Sequence, residues 1–321
     1  MLTEFHFDED LLSSDDMTSL YSHALNASLL DFWYERGGFV YPFNKLTHYK
    51  EWIQYIHPKY IAKWQAALSG NITGDMSNGY RKIADYTNFE SLLSSCSLNG
   101  IDLVLVPSTF DKLGINESTD IYTNGIDICK VNSFLDAPVI RRNKELLNKG
   151  ILPGDDINQV WNSQFIKIAK HSKTITIIDR YFGDNLCKEM SLESTSIKKF
   201  IDLLAPLNKK FNITIYTVGG IKGSQKHIEI ENYIRHFMSK SNVSKVVSTL
   251  SVCSCDDVIF RDNCHERYIA FESFIFKIDR GMQIFSPYPQ VATSISIYRK
   301  TSTSTFSHAL KALTTKRLWF F

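Results

Sequence analysis

The segment Cys264-His265-Glu266-Arg267-Tyr268-Ile269-Ala270-Phe271-Glu272 places an imidazole, a guanidinium two residues later and a carboxylate five beyond that. This combination suits phosphoryl chemistry. A neutral imidazole attacks phosphorus, an adjacent cation neutralises the phosphate oxygens, and a carboxylate orients the ring. In an extended segment residues i and i+2 share a face, so His265 and Arg267 are expected to point the same way. Arginine at 267 favours bidentate clamping of a phosphate. A histidine beside a strand is, on its own, more often a satisfied polar residue than a nucleophile. Cys253-x-Cys255 with Cys264-His265 invites a zinc reading, but the usual C-x2–4-C pairs are missing and cysteines near strand ends are commonly core residues.

These residues need a scaffold, and the surrounding pattern is that of an α/β fold. Asp155-Asp156 caps a predicted helix running to about Lys170, with Ile157, Val160, Trp161, Phe165 and Ile168 on one stripe. Strand Thr174–Ile178 follows and ends in Asp179-Arg180. A helix from Ser194, a strand Ile213–Val218 ending at Gly219-Gly220, a helix from about Ser224 to Lys240 and a strand Lys245–Leu250 complete a βαβαβ run. The default for that run is a parallel sheet with right-handed crossovers. Further strands are predicted near Arg267–Phe271, Ser273–Ile278 and Ala292–Tyr298, and a helix near Ser307–Arg317. Ligands of open α/β sheets bind outside the carboxyl ends of the strands. Here those ends carry Asp179-Arg180, Thr217 with Gly219-Gly220, and the chain leading from Leu250 to His265.

The stretch His265-Glu266-Arg267-Tyr268-Ile269, followed by Phe276-Lys277-Ile278-Asp279-Arg280-Gly281, resembles the phospholipase D superfamily. More specifically it is similar to the phospholipase-D-like domain at the C-terminus of MIT-domain proteins, with Asp179-Arg180-Tyr181 in place of that subgroup's Asp-Pro-Tyr triplet. The resemblance spans roughly residues 155–298. Arg267 stands where the superfamily has Lys, and Glu272 where it has Asp. One such motif is present, whereas active superfamily enzymes use two, from one chain or from a dimer. The resemblance implies His265 as nucleophile, Arg267 and Arg280, with Arg180 as a further candidate, stabilising the developing charge, and Glu272 or Asp179 orienting the ring. It implies Asp179, Arg180, Thr217, Lys277 and Arg280 around a bound phosphate, no metal or other cofactor, and a homodimer.

The first 150 residues are expected to form a separate, smaller α/β domain. An acidic tail is followed by a predicted helix over about Ser19–Arg36, and Gly37-Gly38 stops it before a strand at Phe39-Val40-Tyr41. A helix over about Thr47–Leu68 is interrupted by Pro58, and Ser69–Gly79 reads as a Gly/Asn/Ser loop. A helix near Phe89–Ser95, strands Ile101–Val106 and Gly125–Val131 and a helix over Arg141–Asn148 follow. A PIN-type metal nuclease needs carboxylates gathered at strand ends. Asp31, Glu35, Asp102, Asp120 and Asp127 are available, but no spacing gathers them, and no chemistry is assigned to this half.

Of 321 residues, 36 are Lys or Arg and 34 Asp or Glu; 44% are hydrophobic, 13% aromatic and 22% charged. These fractions exclude disordered, collagen-like and coiled-coil chains. The net charge of +2 conceals a segregation. Residues 1–150 hold 13 basic and 19 acidic side chains, a net of −6, and residues 151–321 hold 23 and 15, a net of +8. The basic half is a candidate for phosphate or nucleic-acid contact, and the acidic half for recruiting a basic protein partner. Met1-Leu2-Thr3-Glu4 and Asp8-Glu9-Asp10 lack a positive signal-peptide start, no apolar run reaches membrane-helix length, and the six cysteines show no disulfide framework. A cytoplasmic protein without integral membrane association is expected. The expected function is a metal-independent phosphodiesterase, a nuclease acting through His265 in a defence or toxin setting. The alternative is a non-catalytic phosphate-binding module docking on anionic lipid or nucleic acid.

Overall fold

The computed structural model describes residues 1–76, 79–115, 125–147 and 149–321, so Asp120 and Asn148 lie outside the described residues. The chain is mixed α/β and divides into two compact units, Met1–Glu145 and Leu146–Phe321. Residues 149–154 belong to the second unit. Ile151 bridges to Thr293, and a Cβ on Gly150 would sit 2.5 Å from the Thr293 carbonyl oxygen.

The first unit is built on an all-parallel sheet of five strands: β1 Thr3–His6, β2 Gly37–Pro42, β3 Thr73–Met76, β4 Leu103–Val106 and β5 Asp127–Lys130, in the order β3-β2-β1-β4-β5. Both faces are covered, as parallel sheets require. Phe5, Phe39, Leu103 and Leu105 pack on one face, and Val40, Val104, Val106 and Ile128 on the other. The supposed acidic tail is therefore the central strand of the sheet, and the acids Asp8, Glu9 and Asp10 come after its end. The strand tolerates its polar residues because each is satisfied. Thr3 accepts from the Asn143 amide, and His6 lies between the Val40 carbonyl and Asp8. The supposed loop 69–79 also holds structure: the helix Pro58–Gly70 runs into it and β3 occupies its middle. Pro58 opens that helix, where a missing N–H costs nothing.

The second unit carries seven strands: β6 Thr174–Ile178, β7 Phe211–Thr217, β8 Val247–Cys255, β9 Tyr268–Ala270, β10 Phe274–Ile278, β11 Ile295–Arg299 and β12 Arg317–Phe320. Their order is β11-β10-β9-β6-β7-β8-β12, with β6, β7 and β8 parallel and β9, β10, β11 and β12 antiparallel to their neighbours. The helices Phe182–Glu189, Ser196–Leu204 and Gln225–Met238 lie in the crossovers. The aromatic residues Trp319 and Phe320 lie in β12, where Trp319 is buried and donates its indole N–H to the Gly220 carbonyl at 2.8 Å. Among the described residues no helix is long and apolar enough to cross a membrane.

Candidate phosphate-binding site

Three segments distant in sequence meet at the carboxyl end of β6. Asp179 follows that strand directly and is fully buried. Its carboxylate accepts backbone N–H bonds from Tyr181 at 3.0 Å and Met282 at 2.8 Å, and lies 3.8 Å from Nε of Arg267. One side chain thus ties the end of β6 to the entrance of β9 and the exit of β10. Burial pushes the Asp179 carboxyl above its ordinary pKa, against the opposing pull of the Met282 N–H and Arg267. Gly281 is required here. Its φ is +53°, and a Cβ would lie 2.3 Å from Asp179 Oδ2 and 2.9 Å from Arg267 Cδ.

Around this buckle the cations are fixed in definite positions. Arg267 donates to the Asp279 carbonyl and lies 4.6 Å from the ring centre of Tyr181. Arg180 flanks the same ring at 5.3 Å and is held bidentately by Asp257, at 2.6 and 2.8 Å. Tyr181 itself is 41% exposed. Arg280, next to Asp279 and partly exposed, has no carboxylate partner among the described residues. The result is a partly exposed aromatic ring with two guanidiniums close to its centre and a third nearby in sequence, outside the ends of parallel strands.

The structure separates other residues expected in this group. Thr217 is buried; its hydroxyl accepts from the Gly183 N–H at 2.9 Å and donates to the Arg180 carbonyl, so it supports the strand ends from within. Glu272 sits at the opposite end of the sheet, accepting from the Thr174 hydroxyl at 3.4 Å. Thr174 opens β6 and Asp179 follows it, so the two ends are roughly 17 Å apart at the usual strand rise. β9 runs antiparallel to β6, which carries its C-terminal neighbour Glu272 away from its N-terminal neighbour Arg267.

His265 and Arg267 have different surroundings. β9 begins only at Tyr268, and the chain bends at Glu266, whose carboxylate pairs with Lys277 at 2.7 Å. That bend interrupts the alternation expected across 265–267. His265 is exposed and lines a cavity of about 520 Å³ with Glu266, Lys277, Tyr268 and the turn Ser302–Thr305. Hydrogen bonding to Glu266 raises the Lys277 pKa, so this cation is committed to its neighbour. Burial pushes the Cys255 and Cys264 thiols up to about 12, and their sulfurs donate to the Leu313 and Glu266 carbonyls.

Asp257 is the participant that sequence reasoning missed. It lies in the first turn of the helix Asp257–Asn263, one of many acids at a helix start, and nothing in its spacing points to Arg180. In the first unit, Asp102 accepts the Glu4 N–H and Asp127 the Val139 N–H, so both serve the backbone. Among the described residues no three His, Cys, Asp or Glu side chains converge as a metal site.

No family model matches the chain, and no curated protein does. Among solved structures it is similar to TrmBL2, an archaeal chromatin protein with a novel mode of DNA binding, at 11% identity and a TM-score of 0.27. The match covers 59% of this chain and 65%, less than two thirds, of that one. A likeness this distant carries no argument about function.

Proposed function

We propose that the C-terminal unit is a phosphate-binding module for single-stranded nucleic acid, acting without turnover. The observation that carries this reading is the cluster of Arg180, Tyr181 and Arg267 at the carboxyl end of β6, with its guanidiniums oriented by Asp257, Asp179 and the Asp279 carbonyl. Half-exposed aromatic rings stack bases, and oriented guanidiniums hold the backbone phosphates. A lipid headgroup uses the cations but leaves Tyr181 without a role. The +8 charge of residues 151–321 supports a polyanionic ligand.

Against turnover stand the separation of Glu272 from His265 and the different surroundings of His265 and Arg267. Hydrolysis through His265 is the second reading, favoured by its exposed ring at the mouth of the 520 Å³ cavity. With one motif per chain it requires a second copy to supply the other histidine. Anisotropy titration of a labelled oligothymidylate tests the module. Arg267→Ala should weaken binding at least about tenfold, the cost of one charge-assisted pair. Unchanged affinity would overturn the reading. Cleavage of the same oligonucleotide in the presence of chelator, abolished in His265→Ala, would replace it with the second.

A further inference from the structure

The carboxyl edge of the parallel sheet in the first unit opens on a cavity of about 410 Å³ that the reading above leaves unused. Its walls come from the segments that follow β1, β2 and β3. In parallel α/β sheets this edge is where ligands bind, commonly at the point where strand order reverses, here between β1 and β4. That crevice is occupied by the protein itself. Asp16 accepts from both the N–H and the hydroxyl of Ser108, just beyond β4, each at 2.7 Å. The open volume lies instead on the β2 side.

The acids of this cavity are already matched. Asp8 accepts the Ile83 N–H at 2.5 Å and faces His6 Nε2 at 3.0 Å, while His6 Nδ1 faces the Val40 carbonyl at 2.8 Å. Both His6 ring nitrogens meet oxygens, so Asp8 is partnered within the wall rather than turned to the open volume. Glu9 is paired with Lys82. The carboxylate of Asp10 couples to Glu9 and Lys82 from outside the lining. Two lining cations remain, Lys45 and Arg81, both exposed and neither paired with a carboxylate among the described residues.

The cavity also has an aromatic wall. Trp52 and His48 lie one turn apart on the helix Leu46–Trp52, with ring centres 5.8 Å apart. Tyr49 braces Trp52 edge-on at 4.8 Å and is itself anchored by its hydroxyl on the Phe7 carbonyl at 2.7 Å. The volume is that of a small-molecule site. An aromatic wall, two uncommitted cations and acids that already have partners fit a planar ring that carries a phosphate. We infer that the first unit binds a nucleoside monophosphate, its base against Trp52 and His48 and its phosphate on Lys45 and Arg81.

Calorimetric titration of the full chain with AMP, GMP, CMP and UMP tests the inference. At least one nucleotide should bind with one site per chain. Arg81→Glu, an exposed change that leaves the core intact, should weaken that binding at least about tenfold, the loss of one charge-assisted contact. The matching nucleoside and ribose 5-phosphate should each bind at least about tenfold more weakly, since each lacks one half of the recognition. Arg267→Ala should leave the nucleotide affinity unchanged, which separates this site from the oligonucleotide site of the second unit. No heat with any of the four nucleotides at millimolar concentration would overturn the inference. So would binding that survives Arg81→Glu at full strength or disappears in Arg267→Ala.

Discussion

The two edges of the C-terminal sheet are both rich in cations, yet they are organised in opposite ways. At the carboxyl edge each guanidinium but Arg280 has a partner that fixes its plane: Asp257 for Arg180, and Asp179 with the Asp279 carbonyl for Arg267. At the amino edge Lys209 lies against the ring of Phe211, and the charges of Lys170 and Lys173 act on it. Among the described residues, Glu272 is the acid that acts on Lys209 there. Burial, with the two neighbouring lysines, lowers the Lys209 pKa to about 8. These ammoniums, with Lys209 donating to the Lys170 carbonyl, raise the local potential as point charges, whereas acid-braced guanidiniums present an oriented fork and sacrifice some potential. A net charge counted along the chain cannot distinguish the two.

The largest effect should come from breaking the buckle that orders the carboxyl edge. Gly281→Ala forces a side chain into a positive-φ position against Asp179 and Arg267. It should destabilise the second unit by about 2–4 kcal/mol, the combined cost of backbone strain and overpacking. Thermal unfolding reads the loss, and oligonucleotide affinity should fall with it.

Arg267→Lys is the next test, because it keeps the charge and removes the planar fork. Affinity for oligothymidylate should fall about fivefold or more, since an ammonium cannot reproduce the stacked, multiply bonded guanidinium. If lysine serves as well as arginine, the carboxyl edge works by charge alone and the contrast between the edges disappears.

The amino edge has its own signature in pH. A lysine whose folded pKa is lowered binds fewer protons folded than unfolded. Its ionisation therefore costs stability at neutral pH, and that stability is regained as pH rises from about 8 toward the ordinary lysine value. Lys209 should accordingly be acylated ahead of exposed lysines by a limiting amine-reactive reagent at pH 8, as read by peptide mass spectrometry. The smallest expected effect is that of Glu272→Gln. It should lower the Lys209 pKa further and leave oligonucleotide affinity within about twofold, since the carboxylate sits at the far end of the sheet.

Much of this architecture was legible in the sequence, because β6 and β7 are buried apolar runs with clear stops. Three features were not. β1 carries Glu4 and His6 and precedes three acids, so it reads as a polar tail until the partners of the His6 ring and of the Glu4 backbone N–H are known. β8 runs five residues past its predicted end at Leu250 because Ser254 is satisfied in place, accepting the Gly219 N–H and donating to the Gly220 carbonyl. The helix Phe182–Glu189 is obscured by Gly183, which is needed where the Val218 carbonyl oxygen would lie 2.7 Å from a Cβ. At the site, the placement of Asp179-Arg180 at the carboxyl end of β6 was readable from the strand pattern. The different surroundings of His265 and Arg267 were not, since they go with a bend at Glu266, whose carboxylate pairs with Lys277.

The central claim is that the carboxyl edge, and not the lysine-rich amino edge, holds the nucleic acid. Ultraviolet crosslinking of bound oligothymidylate to the full chain, followed by peptide mass spectrometry, addresses it directly. The account predicts an adduct on Tyr181, lost when Arg267 is replaced by alanine. Adducts confined to the peptides around Lys170–Lys173 and Lys209–Lys210, with Tyr181 unmodified, would contradict it.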